Sequence, residues 1–146
     1  MKVLRYQPKK FYIMQKIHVE GDPKLKNTGS KQYSMFIGRW QPWHAGHRWL
    51  IDQRLNEGKN VLICIRDIKP DEKNPFTAQE VERNIKNELW TLLSDETVKV
   101  MIIPDIESVN FGRGVGYDII EHIPPQEVGD ISATKIREQL KQEGKL

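Results

Sequence analysis

His44 and His47 stand three residues apart, with Gly46 between them. At that spacing two imidazoles share one side of a helical turn. They can then donate hydrogen bonds to oxygens that gain charge, as the non-bridging oxygens do during displacement at phosphorus. Gly46 lacks the Cβ that would hold a polyphosphate away from the backbone. The other chemistry open to two histidines is metal binding, which requires a third ligand from His18, His122 or a carboxylate. A second cluster lies far downstream in Ile131-Ser132-Ala133-Thr134-Lys135-Ile136-Arg137. Ser132 is a good helix N-cap, Thr134 offers a hydroxyl, and Lys135 and Arg137 can neutralise phosphate; an ordinary capped amphipathic helix with solvated cations is the alternative. No persuasive Ser/His/Asp or Cys/His arrangement accompanies these residues, so the chemistry indicated is positioning and charge stabilisation rather than covalent attack by the protein.

The elements around the histidines give them meaning. Tyr33 to Gly38 reads as a buried strand, and Ala45 to Asn56 as a helix with apolar Trp49, Leu50 and Leu55. Gly58-Lys59-Asn60 ends that helix, and Val61 to Ile65 has the β-branched character of a strand buried on both faces. Thr77 with Glu80 forms a capping box opening a helix through about Leu93, with Val81, Ile85, Leu89 and Leu92 on one face. Val98 to Ile103 is a third strand, and Ser132 to Gln142 a last helix with Ile136 and Leu140 facing inward. Strand, helix, strand, helix, strand is the first half of a Rossmann-like, doubly wound parallel α/β sheet, whose ligands bind beyond the carboxyl ends of the strands. The histidines follow the first strand and open the first helix, where free N–H groups and a partial positive charge favour phosphate.

Composition bounds the remaining possibilities. The chain has 146 residues, 38% hydrophobic and 29% charged, enough for one sizeable core and too few for two large domains. Its longest apolar runs are strand-sized, well short of the roughly 20 residues a bilayer helix needs, so no membrane association is expected. Cys64 is the only cysteine, which excludes an intramolecular disulfide and fits a reducing, cytoplasmic setting; the first residues do not read as an export signal. Residues 1–32 hold eight basic and two acidic side chains, a net +6, so the rest of the chain carries −3 of the total +3. The charge sits in an arm and not across the body, so no nucleic-acid partner is indicated. The arm, with turn residues and one candidate strand at Phe11 to Val19, reads as an appendage, a hairpin or an oligomer contact; a solvated basic extension is the plain reading and a contact for an acidic or phosphate-bearing partner the alternative, which leaves a homo-oligomer open. The expected organisation is therefore an extension, 1–32, followed by a single compact catalytic domain, 33–146.

Other features carry weaker signals. Asn110-Phe111-Gly112-Arg113-Gly114-Val115-Gly116-Tyr117 fails the Gly-x-Gly-x-x-Gly dinucleotide fingerprint, because Tyr117 occupies its last required position. Arg113 and Tyr117 are candidates to clamp and stack on a substrate, against the alternative of a tight glycine turn with a surface arginine. Trp40 and Trp43 flank the histidines as candidate walls of a nucleotide pocket, Trp49 and Trp90 fit helix core faces, and Lys69 to Lys73 is a solvated loop or a lid.

The string Gly38-Arg39-Trp40-Gln41-Pro42-Trp43-His44-Ala45-Gly46-His47 resembles the first signature of the nucleotidylyltransferase superfamily, which is cytidylyltransferase-like and of the His-x-Gly-His type. It looks most like nicotinamide mononucleotide adenylyltransferases of archaeal type, as does Asn74-Pro75-Phe76-Thr77, and Ile131 to Arg137 is similar to the family's second signature. The resemblance implies transfer of a nucleoside monophosphate, AMP by preference, from a nucleoside triphosphate to a small phosphorylated acceptor such as nicotinamide mononucleotide, with Mg²⁺ present and pyrophosphate leaving. It implies that His44 and His47 stabilise the pentavalent phosphorus and that Arg39 and Arg137 hold phosphates, Arg137 counting with the catalytic group. By the same resemblance Ser132 and Thr134 are expected to bind the outgoing pyrophosphate beside Lys135, with Gly38, Trp40 and Gly46 completing the nucleotide site. No metal ligand is expected from the protein. The alternatives are a cytidylyltransferase using CTP and a phosphorylated alcohol or sugar, and a nucleotide-binding module without catalysis.

Overall fold

The structure, a computed structural model, describes residues 31–114 and 116–146. The candidate strand at Phe11 to Val19 and the rest of the basic arm up to residue 30 lie outside the described residues. Contacts divide the chain into two compact units: Gln32–Val109 with Pro124–Leu146 form one, and Asn110–Ile123 belongs to the other.

The first unit holds a three-stranded parallel sheet of β1 (Tyr33–Gly38), β2 (Asn60–Asp67) and β3 (Val98–Pro104), in that order. Helix α1 (Ala45–Leu55) joins β1 to β2; α2 (Ala78–Glu88) and the short α3 (Trp90–Ser94) join β2 to β3. Consecutive parallel neighbours with right-handed crossovers place both connections on the same face. The register pairs Phe36 with Ile63 and Ile63 with Val100, so alternate residues line up across the strands. On the helix-covered face Val61, Ile63, Ile65 and Val98 pack with Ile51 of α1 and with Ala78, Val81, Ile85 and Leu89, all nearly or fully buried. The described sheet is thus the α/β, Rossmann-like half that the strand pattern implied. Helix α4 (Gln126–Gly129) and helix α5 (Ala133–Gln142) complete this unit.

The Thr77 cap is formed in both directions: Thr77 Oγ1 accepts from Glu80 N–H at 3.1 Å and Glu80 Oε1 accepts from Thr77 N–H at 3.2 Å. The helix it opens is shorter than the spacing implied. It ends at Glu88, where Leu89 leaves helical geometry with ψ at 19° while staying 1% exposed, and α3 resumes at Trp90. Trp90, expected in the core, is 65% exposed. Val81, Ile85 and Leu89 repeat every four residues, and the position after Leu89 lies about 100° around a helix from that stripe. In α1 the fully buried side chain is Ile51, while Trp49 is half-buried.

In the other unit, Asn110–Ile123 runs largely as coil and turn, with Gly114 and Gly116 at φ of 61° and 76°. Those left-handed angles explain two of its glycines. Among the described residues no helix is long and apolar enough to cross a membrane.

Candidate active site

β1 ends at Gly38, and the chain reaches α1 through six residues, Arg39 to His44. Trp40 takes a left-handed φ of 53°, rare for a bulky residue, and is held by what its indole meets. Nε1 donates to the Cys64 carbonyl at 3.1 Å, and the ring lies so close on Gly38 that a Cβ there would come within 2.8 Å of it. The sequence placed Trp40 among nucleotide-contacting residues. At 6% exposure it has little surface to offer a ligand, and it acts on the site from beneath, its ring edge-on to His47 at 4.8 Å between centroids. Trp43, half-buried, lies 5.4 Å from the same imidazole.

The two histidines form the N-terminal cap of α1. His44 is the N-cap residue, extended at φ −146° and ψ 178°, and its Nδ1 accepts from Gly46 N–H at 3.0 Å. His47 closes the box in reverse, its Nδ1 accepting from His44 N–H at 3.2 Å. Their rings stack at 3.6 Å with 20° between planes. Gly46 is required by this cap itself, because a Cβ there would lie 2.8 Å from His44 Cε1.

Those bonds settle the protonation state. A ring nitrogen that accepts from a backbone N–H carries no proton, so each neutral imidazole keeps its proton on Nε2 as a donor. Burial lowers the pKa of His44, and burial first and the neighbouring His44 second lower that of His47 from 6.5 to about 3. The pair therefore offers two Nε2–H donors without a full positive charge, and the cations must come from other residues.

A pH dependence follows. As pH falls below 6.5, unfolded chains protonate position 47 while folded ones do not until about 3. Within that window the unfolded state binds more protons, so stability is full above 6.5 and is lost progressively toward 3. In urea titrations across the window, the stability advantage of the wild type over His47→Ala is expected to shrink as pH falls. An advantage independent of pH would show that the imidazole is not held neutral.

α5 supplies the cationic part. Ser132 is its N-cap, with Oγ accepting from Lys135 N–H at 3.1 Å, and Lys135 itself is exposed. Arg137 turns back toward the loop after β1: Nη1 donates to the Gln41 carbonyl at 2.6 Å and Nη2 to Thr134 Oγ1 at 3.3 Å. The first signature and the second, 96 positions apart, are thereby joined at one hydrogen bond. Arg39 is exposed, with its charge within influence of Asp71. Asp71 is held below the usual carboxylate range chiefly by the Asn74 side-chain amide, then by the Asn74 and Lys73 backbone N–H groups, with Arg39 contributing least.

Two residues were missed by the sequence reading. Gln41, 4% exposed, and Asn74, 6% exposed, are the buried polar side chains of this region. Asn74 donates from Nδ2 to Asp71 Oδ1 at 3.0 Å, which folds the polar loop before α2 onto itself. A lone polar side chain inside the aromatic string Trp40-Gln41-Pro42-Trp43 was the available signal for Gln41. Arg113 and Tyr117 lie in the second unit, both exposed. Among the described residues no group of three or more His, Cys, Asp or Glu side chains is arranged to hold a metal ion.

No protein-family model matches the chain. It is 34% identical over 97 residues to the nicotinamide-nucleotide adenylyltransferase of Methanolobus tindarius, covering 65% of this chain and 53% of that protein. To the nicotinamide-nucleotide adenylyltransferase of Caldivirga maquilingensis it is 30% identical over 102 residues, covering 64% and 53%. A shorter stretch of 55 residues is 38% identical to the nicotinamide/nicotinic acid mononucleotide adenylyltransferase of Acinetobacter baylyi, covering 36% and 29%. The chain thus spans about half the length of the longer-matching relatives. The resemblance to nucleotidylyltransferases is borne out by these likenesses.

Proposed function

We propose that this chain is a nucleotidylyltransferase that moves AMP from ATP to a small phosphorylated acceptor, nicotinamide mononucleotide first among them, and releases pyrophosphate. The observation that carries the reading is the pair of neutral imidazoles at the start of α1, each with Nδ1 committed to backbone and Nε2–H free to donate. The names of the relatives favour the adenylyl group and this acceptor.

In this reading an oxygen of the acceptor phosphate attacks the α-phosphorus, the bond from that phosphorus to the α,β-bridging oxygen breaks, and the electron pair leaves on pyrophosphate. His44 and His47 donate to the non-bridging α-oxygens, which gain charge as the five-coordinate phosphorus forms. Neutral donors suit that task, since their bonds strengthen with the developing charge and no ion has to be desolvated beforehand. Arg137, Lys135 and Arg39 balance the triphosphate's charge. Ser132 and Thr134 receive the departing pyrophosphate at the α5 N-terminus, beside N–H groups that favour anions. Gly38 supports the loop by admitting the Trp40 ring, and Gly46 supports the cap by admitting the His44 ring. The catalytic domain in this reading is 33–146, with 1–32 a basic extension.

Mg²⁺ bound with the triphosphate would supply charge neutralisation. The donor set agrees with that role: the side chains assigned to phosphate are neutral or cationic, and Mg²⁺ is commonly held by substrate phosphates and water with few protein carboxylates.

The test is to supply Mg²⁺ with each of the nucleoside triphosphates in turn against a panel of phosphomonoesters and to follow pyrophosphate. Release with ATP and nicotinamide mononucleotide is expected. Release with CTP alone would move the assignment to cytidylyl transfer, and tight triphosphate binding with no turnover on any acceptor would leave a binding module.

A further inference from the structure

Gln41 is a polar side chain at 4% exposure, and its partners are specific. Its amide meets both backbone groups of one distant residue: Nε2 donates to the Phe76 carbonyl at 2.9 Å, and Oε1 accepts from Phe76 N–H at 3.0 Å. This pair of bonds copies the way one strand residue binds another, and neither can be kept if residue 41 rotates. The main-chain carbonyl of the same residue accepts from Arg137 Nη1 at 2.6 Å. One residue thus joins the loop after β1, the segment that leads into α2, and α5.

We propose that Gln41 is a positioning residue for Arg137: its amide, clamped on Phe76, fixes the carbonyl that holds the guanidinium ready for the triphosphate. The proposal deepens the adenylyl-transfer reading and rests on it. A free arginine side chain carries about 2 kcal/mol of rotamer entropy, and ordering it during binding weakens affinity by a corresponding amount. Gln41 O and Thr134 Oγ1 hold two of the guanidinium's donors in advance. The remaining N–H groups are left for phosphate oxygens. A carbonyl can impose that geometry only if it is itself fixed, and the described contacts of the Gln41 amide do that.

Gln41→Met keeps the length and apolar bulk of the side chain and removes both bonds to Phe76. The variant is expected to fold, to raise the triphosphate KM about tenfold, the scale of one charge-assisted hydrogen bond, and to change kcat at saturating triphosphate much less. Arg137→Ala is expected to raise KM by a similar factor in the wild type and to add little in the Gln41→Met background. Full, multiplicative effects in the double variant would overturn the proposal, because the two residues would then act independently. Gln41→Asn, which keeps the amide but shortens its reach, should show the same pattern at smaller amplitude if Gln41→Met does not fold.

A second readout does not depend on turnover. In nuclear magnetic resonance spectra of the free protein, the Arg137 guanidinium should rotate slowly about its Cζ–Nε bond in the wild type and freely in the variant. Unchanged rotation would sink the positioning role. Absence of pyrophosphate release from the wild type with every acceptor would sink the function reading instead, while the rotation measurement would still decide the role of Gln41.

Discussion

His47→Ala is expected to lower turnover by about 10²- to 10³-fold, the loss seen when one preorganised donor to a developing oxyanion is removed. The effect belongs in kcat, with triphosphate affinity changing less, because the Nε2–H bond strengthens only as charge builds on the α-oxygens. His44→Ala should cost a similar factor for the same reason. The two losses should not multiply, because the rings stack at 3.6 Å and the His47 ring holds the His44 N–H, so each variant loosens the other histidine. Folding needs a separate control, since His44 is also the N-cap and removing a cap costs about 1 kcal/mol. His44→Asn supplies it. Asn is among the best N-cap residues, so this variant should melt near the wild type and still lose turnover. Near-normal kcat in His44→Asn and His47→Ala together would show that the imidazoles serve the helix and not the reaction.

Trp40→Ala carries the largest expected cost in stability, about 3–5 kcal/mol by the scale of buried tryptophan truncations. Domains of this size have roughly 5–15 kcal/mol in all, so the variant should unfold at markedly lower urea concentration than the wild type. Several losses coincide at this residue. The indole fills the space above Gly38, satisfies the Cys64 carbonyl, and touches both Trp43 and His47. Trp40→Phe should cost much less, since an aromatic ring remains and chiefly the bond to Cys64 is given up. Turnover should follow the ring and not the N–H: Trp40→Phe should retain most of it, because what His47 needs from this residue is an edge to lean on. If Trp40→Ala unfolds at the same urea concentration as the wild type, the account of the loop's rigidity is wrong.

The parts of this fold that sequence made legible are those decided by neighbouring residues. β2 could be read because Val61, Leu62, Ile63, Cys64 and Ile65 form an uninterrupted apolar run, and α2 because Thr77 and Glu80 cap each other across one turn. The break at Leu89 was hidden, since Leu92 continues an apolar stripe that a straight helix would bury as well. His44 and His47 could be singled out as candidates for phosphate handling by type and place. Their reciprocal cap could not, because histidine is not among the usual N-cap residues and the cap exists only when Gly46 lets the ring lie over the backbone. The contacts of Gln41 were hidden for a different reason. Its partners Phe76 and Arg137 are 35 and 96 positions away, and no local pattern encodes a contact that only the finished fold creates.

In the proposed reaction the adenylyl group of ATP passes to a phosphate acceptor between the histidines of α1 and the cations of α5. Its most direct test is a single incubation of the full chain with Mg²⁺, nicotinamide mononucleotide and ATP labelled with phosphorus-32 at the α position. Label, pyrophosphate and protein are then quantified together. The account predicts that label appears in a dinucleotide, that one pyrophosphate forms for each dinucleotide, and that none of the label is found bound covalently to the protein. Label recovered as ADP, or a labelled protein intermediate, would contradict it.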